Sequence, residues 1–301
     1  MPGNVDGQPL TLRLRSLDLA GGTTHILGVV NVTPDSFSDG GLTFDPELAV
    51  AHGRALASAG ADVLDVGGES TRPGAQPVSV EEEKRRVLSV VAELARVAPV
   101  SIDTCKAEVA AAALSAGAEL VNDVSGGRLD PEILRVAARG SAALILGHWR
   151  VAPAESDAAA LHPVPKRGGF TDVAREVTDE LGERVARAVE AGVPRARILV
   201  DPGLGFGKSA EDNLALLAHL GELSRLGLPI VIGASRKAFL GKITGQPIEA
   251  REVATAAAHV AAILAGAKMV RVHDVAAQRD AIRVADAIRR AGFARLQERA
   301  P

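Results

Sequence analysis

Short runs of apolar, often β-branched residues alternate along the chain with longer alanine-rich stretches of helical period. The runs fall at Ile26–Val30, Val63–Val66, Val100–Asp103, Leu120–Asn122, Ala143–Leu146, Ile198–Asp201, Ile230–Gly233 and Met269–Val272. Each is nearly continuous in apolar character, as a parallel strand covered on both faces requires. Between them the apolar positions recur every three or four residues: Val87, Val91, Leu94 and Val97 in one segment, Val275, Ile282, Ala285 and Ile288 in the last. Helix-stop signals separate the two kinds of element at Ala59-Gly60, Ala116-Gly117 and Ala191-Gly192-Val193-Pro194. Eight strand–helix alternations predict an α/β fold of the (β/α)8 TIM-barrel type. A doubly wound open sheet shares the alternation, and the strand count favours the barrel.

A segment from Leu10 to His25 precedes the first run and carries Gly21-Gly22. It predicts a short N-terminal β-hairpin, turning at the two glycines and closing the bottom of the barrel. Composition does not shift at any point as it would at a domain boundary. Residues 10–295 are therefore expected to form a single domain, with a disordered N-terminus at 1–9 and a tail at 296–301. One long irregular stretch, Arg150 to Phe170, holds a Lys166-Arg167-Gly168-Gly169 cluster. A connection of that length in a compact domain is either functional or mobile.

Composition narrows the function classes. Hydrophobic residues make up 47% of the 301 residues and charged residues 24%, so a large core is available. The net charge of -3 gives no basic excess for nucleic acid. No apolar stretch reaches bilayer-spanning length, and the polar stretch from Met1 to Gln8 does not read as a signal peptide. The single cysteine, Cys105, excludes a disulfide framework within one chain and a cysteine-rich zinc site. It suits a reducing cytoplasmic setting.

The chemistry is concentrated where each strand ends. Those ends carry Asn31, Asp65, Asp103, Asn122, His148, Asp201, Ser235-Arg236-Lys237 and Arg271-Val272-His273. In βα folds ligands sit at the carboxyl ends of the strands. Asp103, Asn122, Asp201 and Lys237 offer carboxylates, an amide and an ammonium, a set suited to a flat heterocycle rich in N–H donors and ring-nitrogen acceptors. Asp201 and Lys237 would equally make a structural ion pair. Asn31, Arg271 and His273, with Thr71-Arg72, suit a diphosphate and its Mg²⁺, because Arg offers a bidentate fork and the Asn oxygen is a hard ligand. Arg271 would otherwise neutralise Asp274 beside it. Ser235 to Phe239 open a helix whose backbone N–H groups suit a carboxylate, unless Ser235 is only an N-cap. Phe37 and Pro73 would wall a phenyl ring, although Phe37 would also serve as a loop anchor. The glycine-rich strings at Asp39-Gly40-Gly41, Gly67-Gly68, Gly126-Gly127 and Gly203 to Gly207 match neither a Walker A loop nor a Rossmann fingerprint.

Seven strings, taken in order, resemble the motifs of dihydropteroate synthases: Asn31-Val32-Thr33-Pro34-Asp35-Ser36-Phe37, Asp65-Val66-Gly67-Gly68-Glu69-Ser70-Thr71-Arg72-Pro73, Ser101-Ile102-Asp103-Thr104, Val121-Asn122-Asp123-Val124-Ser125-Gly126-Gly127, Asp201 to Lys208, Ser235-Arg236-Lys237 and Arg271-Val272-His273-Asp274. The resemblance runs from about Leu10 to the last helix. It implies a transferase of folate biosynthesis that condenses 4-aminobenzoate with (7,8-dihydropterin-6-yl)methyl diphosphate by an SN1-like route. It implies a pterin site at Asp103, Asn122, Asp201 and Lys237, and a diphosphate site at Asn31, Thr71, Arg72, Arg271 and His273, with Mg²⁺ on Asn31. The 4-aminobenzoate site would take Phe37, Thr71, Pro73, Phe206, Lys237 and Ala238. Catalysis would rest on Asp103, Asp35, Lys237 and Arg271, and the enzyme would be a cytoplasmic homodimer binding no nucleic acid or membrane.

Three positions depart from the family pattern. Gly147-His148-Trp149 stands where Met-His is usual, which leaves the pterin pocket looser or filled by Trp149. Leu204 stands where Phe is common, and Ala238 where Ser is often found, so that a carboxylate contact at 238 falls to backbone N–H. A non-catalytic paralogue would have lost loop residues that are present here. A methyltetrahydrofolate:corrinoid methyltransferase, which shares the barrel, has no need of the Arg271-x-His273 pair.

Overall fold

The structure is a computed structural model that describes residues 13–14, 17–19, 21–33, 45–70, 75–150 and 169–297. Two short strands, β1 (Arg13–Leu14) and β2 (Leu17–Asp18), pair antiparallel. Their register, Leu14 opposite Leu17, puts Gly21-Gly22 after the pair and not at its turn, which corrects the sequence expectation. The expected disordered N-terminus and the end of the expected tail, 298–301, lie outside the described residues.

Eight parallel strands follow: β3 (His25–Asn31), β4 (Val63–Gly67), β5 (Val100–Asp103), β6 (Leu120–Asp123), β7 (Ala143–Gly147), β8 (Ile198–Asp201), β9 (Val231–Ile232) and β10 (Met269–Val272). They lie in the order β8-β7-β6-β5-β4-β3-β10-β9. A parallel bridge between Val200 and Ile230, with the Val200 N–H donating to Pro229 O at 3.0 Å, brings β8 back to β9 and closes the ring. The fold is a (β/α)8 barrel.

The helices alternate with the strands: α1 (Pro46–Ala59), α2 (Val80–Leu94), α3 (Ala107–Ser115), α4 (Glu132–Arg139), α5 (Val173–Glu190), α6 (Ala210–Ala218), α7 (Ala238–Thr244), α8 (Glu252–Leu264) and α9 (Val275–Gln297). Side chains cap the starts of α1, α2, α5 and α6. Asp45 accepts the Glu47 N–H ahead of α1, and Ser209 with Asp212 forms a capping box ahead of α6. Two apolar positions read as inward from the sequence face out. Val97 lies past the end of α2 and is 45% exposed, and Ile288 on α9 is 52% exposed. On α9 the inward row continues instead through Asp286 and Arg289, which bond to Thr24 and to the Ala267 carbonyl.

Strand parity divides the core into two layers. Outward residues such as Val30, Leu64, Ile102, Val121 and Val272 meet the helices. Inward residues Leu27, Val63, Leu120, Ile145, Leu199, Val231 and Met269 fill the lower barrel, with Leu19 closing it from beneath. Two residues further along β4, β6, β8 and β10, that parity brings Asp65, Asn122, Asp201 and Arg271 inward. The alternation that builds the apolar plug therefore also lines the mouth with polar groups.

Candidate active site

A cavity of about 900 Å³ opens at the carboxyl ends of the strands. Asn31, Asp103, Asn122, Asp201, Lys237 and Arg271 all line it, drawn from six different strand ends. Phe206, Ala238 and His273 lie on its wall as well. Asp35, Phe37, Thr71, Arg72 and Pro73, expected here from the sequence, lie outside the described residues.

The centre of the site is a three-way ion pair. Arg271 donates from Nε to Asp65 Oδ2 at 2.6 Å and from Nη2 to Asp103 Oδ2 at 2.7 Å. Asn122 Nδ2 donates to the same Asp65 oxygen at 3.1 Å. Asp65 Oδ1 is buried and has no hydrogen-bond partner among the described residues. The expected alternative, Arg271 neutralising Asp274, is not what forms: Asp274 accepts the Ala277 N–H at the start of α9. Burial pushes the Asp103 carboxyl up to about 7; Arg271 opposes that shift and the Asp65 charge adds to it. Burial acts to lower the Arg271 guanidinium, but Asp65 and Asp103 together hold it above its ordinary value.

Asp201 ends β8 and accepts the Gly203 N–H at 2.7 Å. Burial raises its pKa, and that bond and the Lys237 charge offset part of the rise. The Lys237 ammonium lies 4.2 Å from the centre of the Phe206 ring, a cation–π contact. The loop that carries Phe206 runs past Lys237 so closely that a Cβ at Gly205 would sit 3.0 Å from Lys237 Cδ, and Gly205 has φ 81. Glycine meets both demands without strain. Ser235 is not an N-cap: Lys237 holds the cap position of α7, while Ser235 Oγ accepts the His273 N–H at 3.2 Å and bonds His273 Nδ1 at 2.9 Å.

A polar support that sequence reasoning left unassigned runs from the cavity lining at Lys208 back to α5. Lys208 Nζ donates to the carbonyls of Gly203 (3.0 Å), Phe206 (3.2 Å) and His148 (3.3 Å), and it bonds His148 Nδ1 at 2.9 Å. His148 Nε2 meets Glu180 at 3.1 Å, so this strand-end histidine faces α5 and is fully buried. Burial, followed by the Lys208 charge, pushes His148 down to about 3, and burial lowers Lys208 to about 7. Arg184 of α5 donates to the carbonyls of Gly147, Trp149 and Ser125, tying the ends of β6 and β7 together. The only sequence signal for Lys208 is its place at the end of a glycine-rich string, whose open carbonyls need a donor.

The Gly147 position departs from both expected outcomes. A Cβ there would lie 2.5 Å from Val124 Cα and 2.6 Å from Val124 O. Main chain at Val124, which lines the cavity, takes the room of a side chain at 147. Trp149 does not fill it; the indole is buried beside Cys105 and tilts at 54° against Phe206, with ring centres 6.0 Å apart.

This arrangement has close counterparts. The family model of pterin-binding enzymes matches residues 27–273. The dihydropteroate synthase of Mycobacterium leprae is 47% identical over 89% of this chain and 94% of its own length, and that of Escherichia coli is 40% identical over 90% and 93%. Among solved structures, Xanthomonas albilineans dihydropteroate synthase with 4-aminobenzoic acid superposes with a TM-score of 0.81 at 46% identity, covering 90% of this chain and 94% of that one. The same enzyme in complex with 7,8-dihydropteroate gives 0.78 at 44% identity, covering 90% and 95%. Over nearly its whole described length, then, the chain belongs to the pterin-binding enzymes, in the dihydropteroate synthase family.

Proposed function

We propose that the chain is a transferase of folate biosynthesis that condenses 4-aminobenzoate with (7,8-dihydropterin-6-yl)methyl diphosphate, giving 7,8-dihydropteroate and diphosphate. One observation carries this reading: Asp103, Asn122, Asp201, Lys237 and Arg271 meet at one cavity. The set matches the hydrogen-bonding edges of an aminopterin. Asp201 and Asp103 accept ring and amino N–H groups, Asn122 both donates and accepts, and Lys237 donates to a carbonyl oxygen or ring nitrogen.

The diphosphate lies toward Asn31, His273 and Arg271, with Thr71 and Arg72 of the loop after β4. Arg271 has one nitrogen, Nη1, not engaged with either carboxylate, and so can keep its inner bonds while facing the leaving group. Among the described residues no three His, Cys, Asp or Glu side chains converge to hold a metal ion. Asn31 is a single hard oxygen donor on the cavity wall. That donor set fits Mg²⁺, which keeps most of its waters and takes phosphate oxygens for the rest. When bound, Mg²⁺ neutralises charge on the departing diphosphate.

The C–O bond to diphosphate breaks first, and its electron pair leaves with the oxygen. The methylene carbon is left cationic and conjugated with the pterin. Asp103, with Asp35 on the loop after β3, stabilises that cation, and Arg271 and His273 stabilise the charge leaving. The neutral aniline nitrogen then attacks the carbon and gives its proton to solvent. Its ring rests against Phe206, Phe37 and Pro73, and its carboxylate reaches Lys237 and the Ala238 N–H. No strong general base is required, because an aromatic amine already carries a free lone pair at neutral pH.

The resemblance also favours a homodimer through late helices. Val253 on α8 is 84% exposed, and Val284 and Ile288 on α9 are 59% and 52% exposed, an apolar surface that a second copy would cover. No helix among the described residues is long and apolar enough to cross a membrane. We place the reaction in the cytoplasm, where the buried thiol of Cys105 stays reduced.

The deciding assay is diphosphate release by the purified chain with Mg²⁺, with and without 4-aminobenzoate. Release that needs the amine, with 7,8-dihydropteroate appearing in equal amount, supports the reading. A pterin-binding protein that releases no diphosphate refutes it.

A further inference from the structure

The turn between β9 and α7 holds the most constrained backbone of the site. Lys237 N–H donates to Ala234 O at 3.2 Å and closes a four-residue turn. Its third residue, Arg236, has φ 58, and it is the one non-glycine residue with positive φ among the described residues. A turn with positive φ at the third position ordinarily takes Gly or Asn there, because a Cβ crowds the backbone. Residues held in such conformations mark places where the surroundings dictate the backbone.

The surroundings here are the start of α8. Thr255 Oγ1 accepts the Arg236 N–H at 3.1 Å, Arg251 Nη1 donates to the Arg236 carbonyl at 3.1 Å, and Arg236 Nε donates to Glu252 Oε1 at 2.6 Å. Both backbone polar groups of Arg236 and its side chain are thus held by one turn of one helix. That turn is itself anchored, since Gln278 of α9 donates to the Glu252 carbonyl at 3.0 Å and to its Oε2 at 2.9 Å. Thr255 is fully buried.

The two neighbours of Arg236 engage different partners. Ser235 goes to His273, and Lys237 goes to Phe206. The positive φ between them sets that divergence.

We propose that Arg236 is a positioning residue, and that Glu252 and Thr255 clamp it so that Ser235 is delivered to His273 and Lys237 to Phe206. Helix α8 thereby belongs to the machinery of the site without lining it at Glu252 or Thr255. The inference rests on the synthase reading for its assay.

The test is a double-mutant cycle in the full chain, read on kcat and on KM for each substrate. Thr255→Val removes the acceptor and keeps the shape. It lowers kcat/KM by about tenfold, chiefly through kcat. Thr255→Ser keeps the hydroxyl and stays within about twofold of the unaltered enzyme. In an Arg236→Gly background glycine takes the positive φ unaided, so Thr255→Val there costs less than about twofold. The proposal is overturned by an equal loss from Thr255→Val in both backgrounds, or by a Thr255→Ser loss equal to that of Thr255→Val. If Thr255→Val does not fold, Glu252→Gln runs the same cycle, and an equal loss in both backgrounds overturns the proposal in the same way. If the unaltered chain has no turnover, the synthase reading fails by itself. The cycle is then read on Kd for 7,8-dihydropteroate, where equal losses in both backgrounds again overturn the clamp.

Discussion

Arg271 Nη2 and Asp103 Oδ2 stand 2.7 Å apart although β10 and β5 are separated by two strands in the sheet. The bond spans the barrel mouth and shares its guanidinium with Asp65 below. One cation thus serves two buried carboxylates, and the site depends on it twice, for geometry and for charge. Arg271→Ala leaves both acids without their partner. It is expected to lower kcat/KM by at least ~10²-fold, and Arg271→Lys, which lacks the fork, to recover only part of the loss. Steady-state kinetics check both.

The same sharing sets a pH dependence. In the proposed mechanism Asp103 is ionised when it stabilises the cationic methylene, and burial followed by the Asp65 charge pushes its carboxyl up to about 7. Turnover is expected to fall as pH drops through that region. Asp65→Asn removes the like charge and leaves Arg271 to Asp103, so the acid limb of kcat/KM should move to lower pH. An unmoved or raised acid limb would speak against the coupling.

Stability should carry a second, separable pH dependence from His148. Its folded pKa is near 3, against an ordinary value of 6.5. Between those values the unfolded chain binds the proton and the folded chain does not, so this contribution is complete above 6.5 and is lost as pH falls toward 3. The slope is up to about 1.4 kcal/mol per pH unit. Urea unfolding across that range should show a shallower slope for His148→Gln than for the unaltered chain.

Gly147→Ala offers a steric test. Its Cβ would be 2.5 Å from the Val124 main chain, so strand ends must part. The expected cost is ~1–3 kcal/mol in unfolding free energy, together with weaker binding of 7,8-dihydropteroate by calorimetry. An unchanged melting temperature and affinity would mean that the two segments separate freely.

The barrel was legible in the sequence because each strand is a nearly continuous apolar run, and Val63–Gly67 and Ile198–Asp201 match the expected bounds within a residue. The polar cluster was legible because Asp103, Asn122, Asp201 and Arg271 stand at strand ends. Asp65 was visible as a strand-end residue, but its role was not: it lies one inward position below the mouth, and only strand register shows that it meets Arg271. Lys208 and Arg184 were hidden for another reason. Arg184 bonds to backbone carbonyls of distant segments, and Lys208 to those of its own loop and of His148, and no side-chain pattern in the sequence encodes such backbone partners. Ile288 was misplaced because a strict three-residue step drifts off a face whose period is 3.6 residues.

The meeting of Gly147 with Val124 has a practical meaning for inhibitor selectivity. A methionine, which the family pattern puts at this position, would offer a ligand a flexible thioether chain. Here the ligand meets main chain at Val124, just past β6, and at the Gly147 end of β7, where Arg184 holds the Gly147 carbonyl, and main chain yields far less. Bulk added to a pterin mimic on that side should therefore be tolerated poorly by this chain, whereas a flat, unsubstituted edge should be accepted.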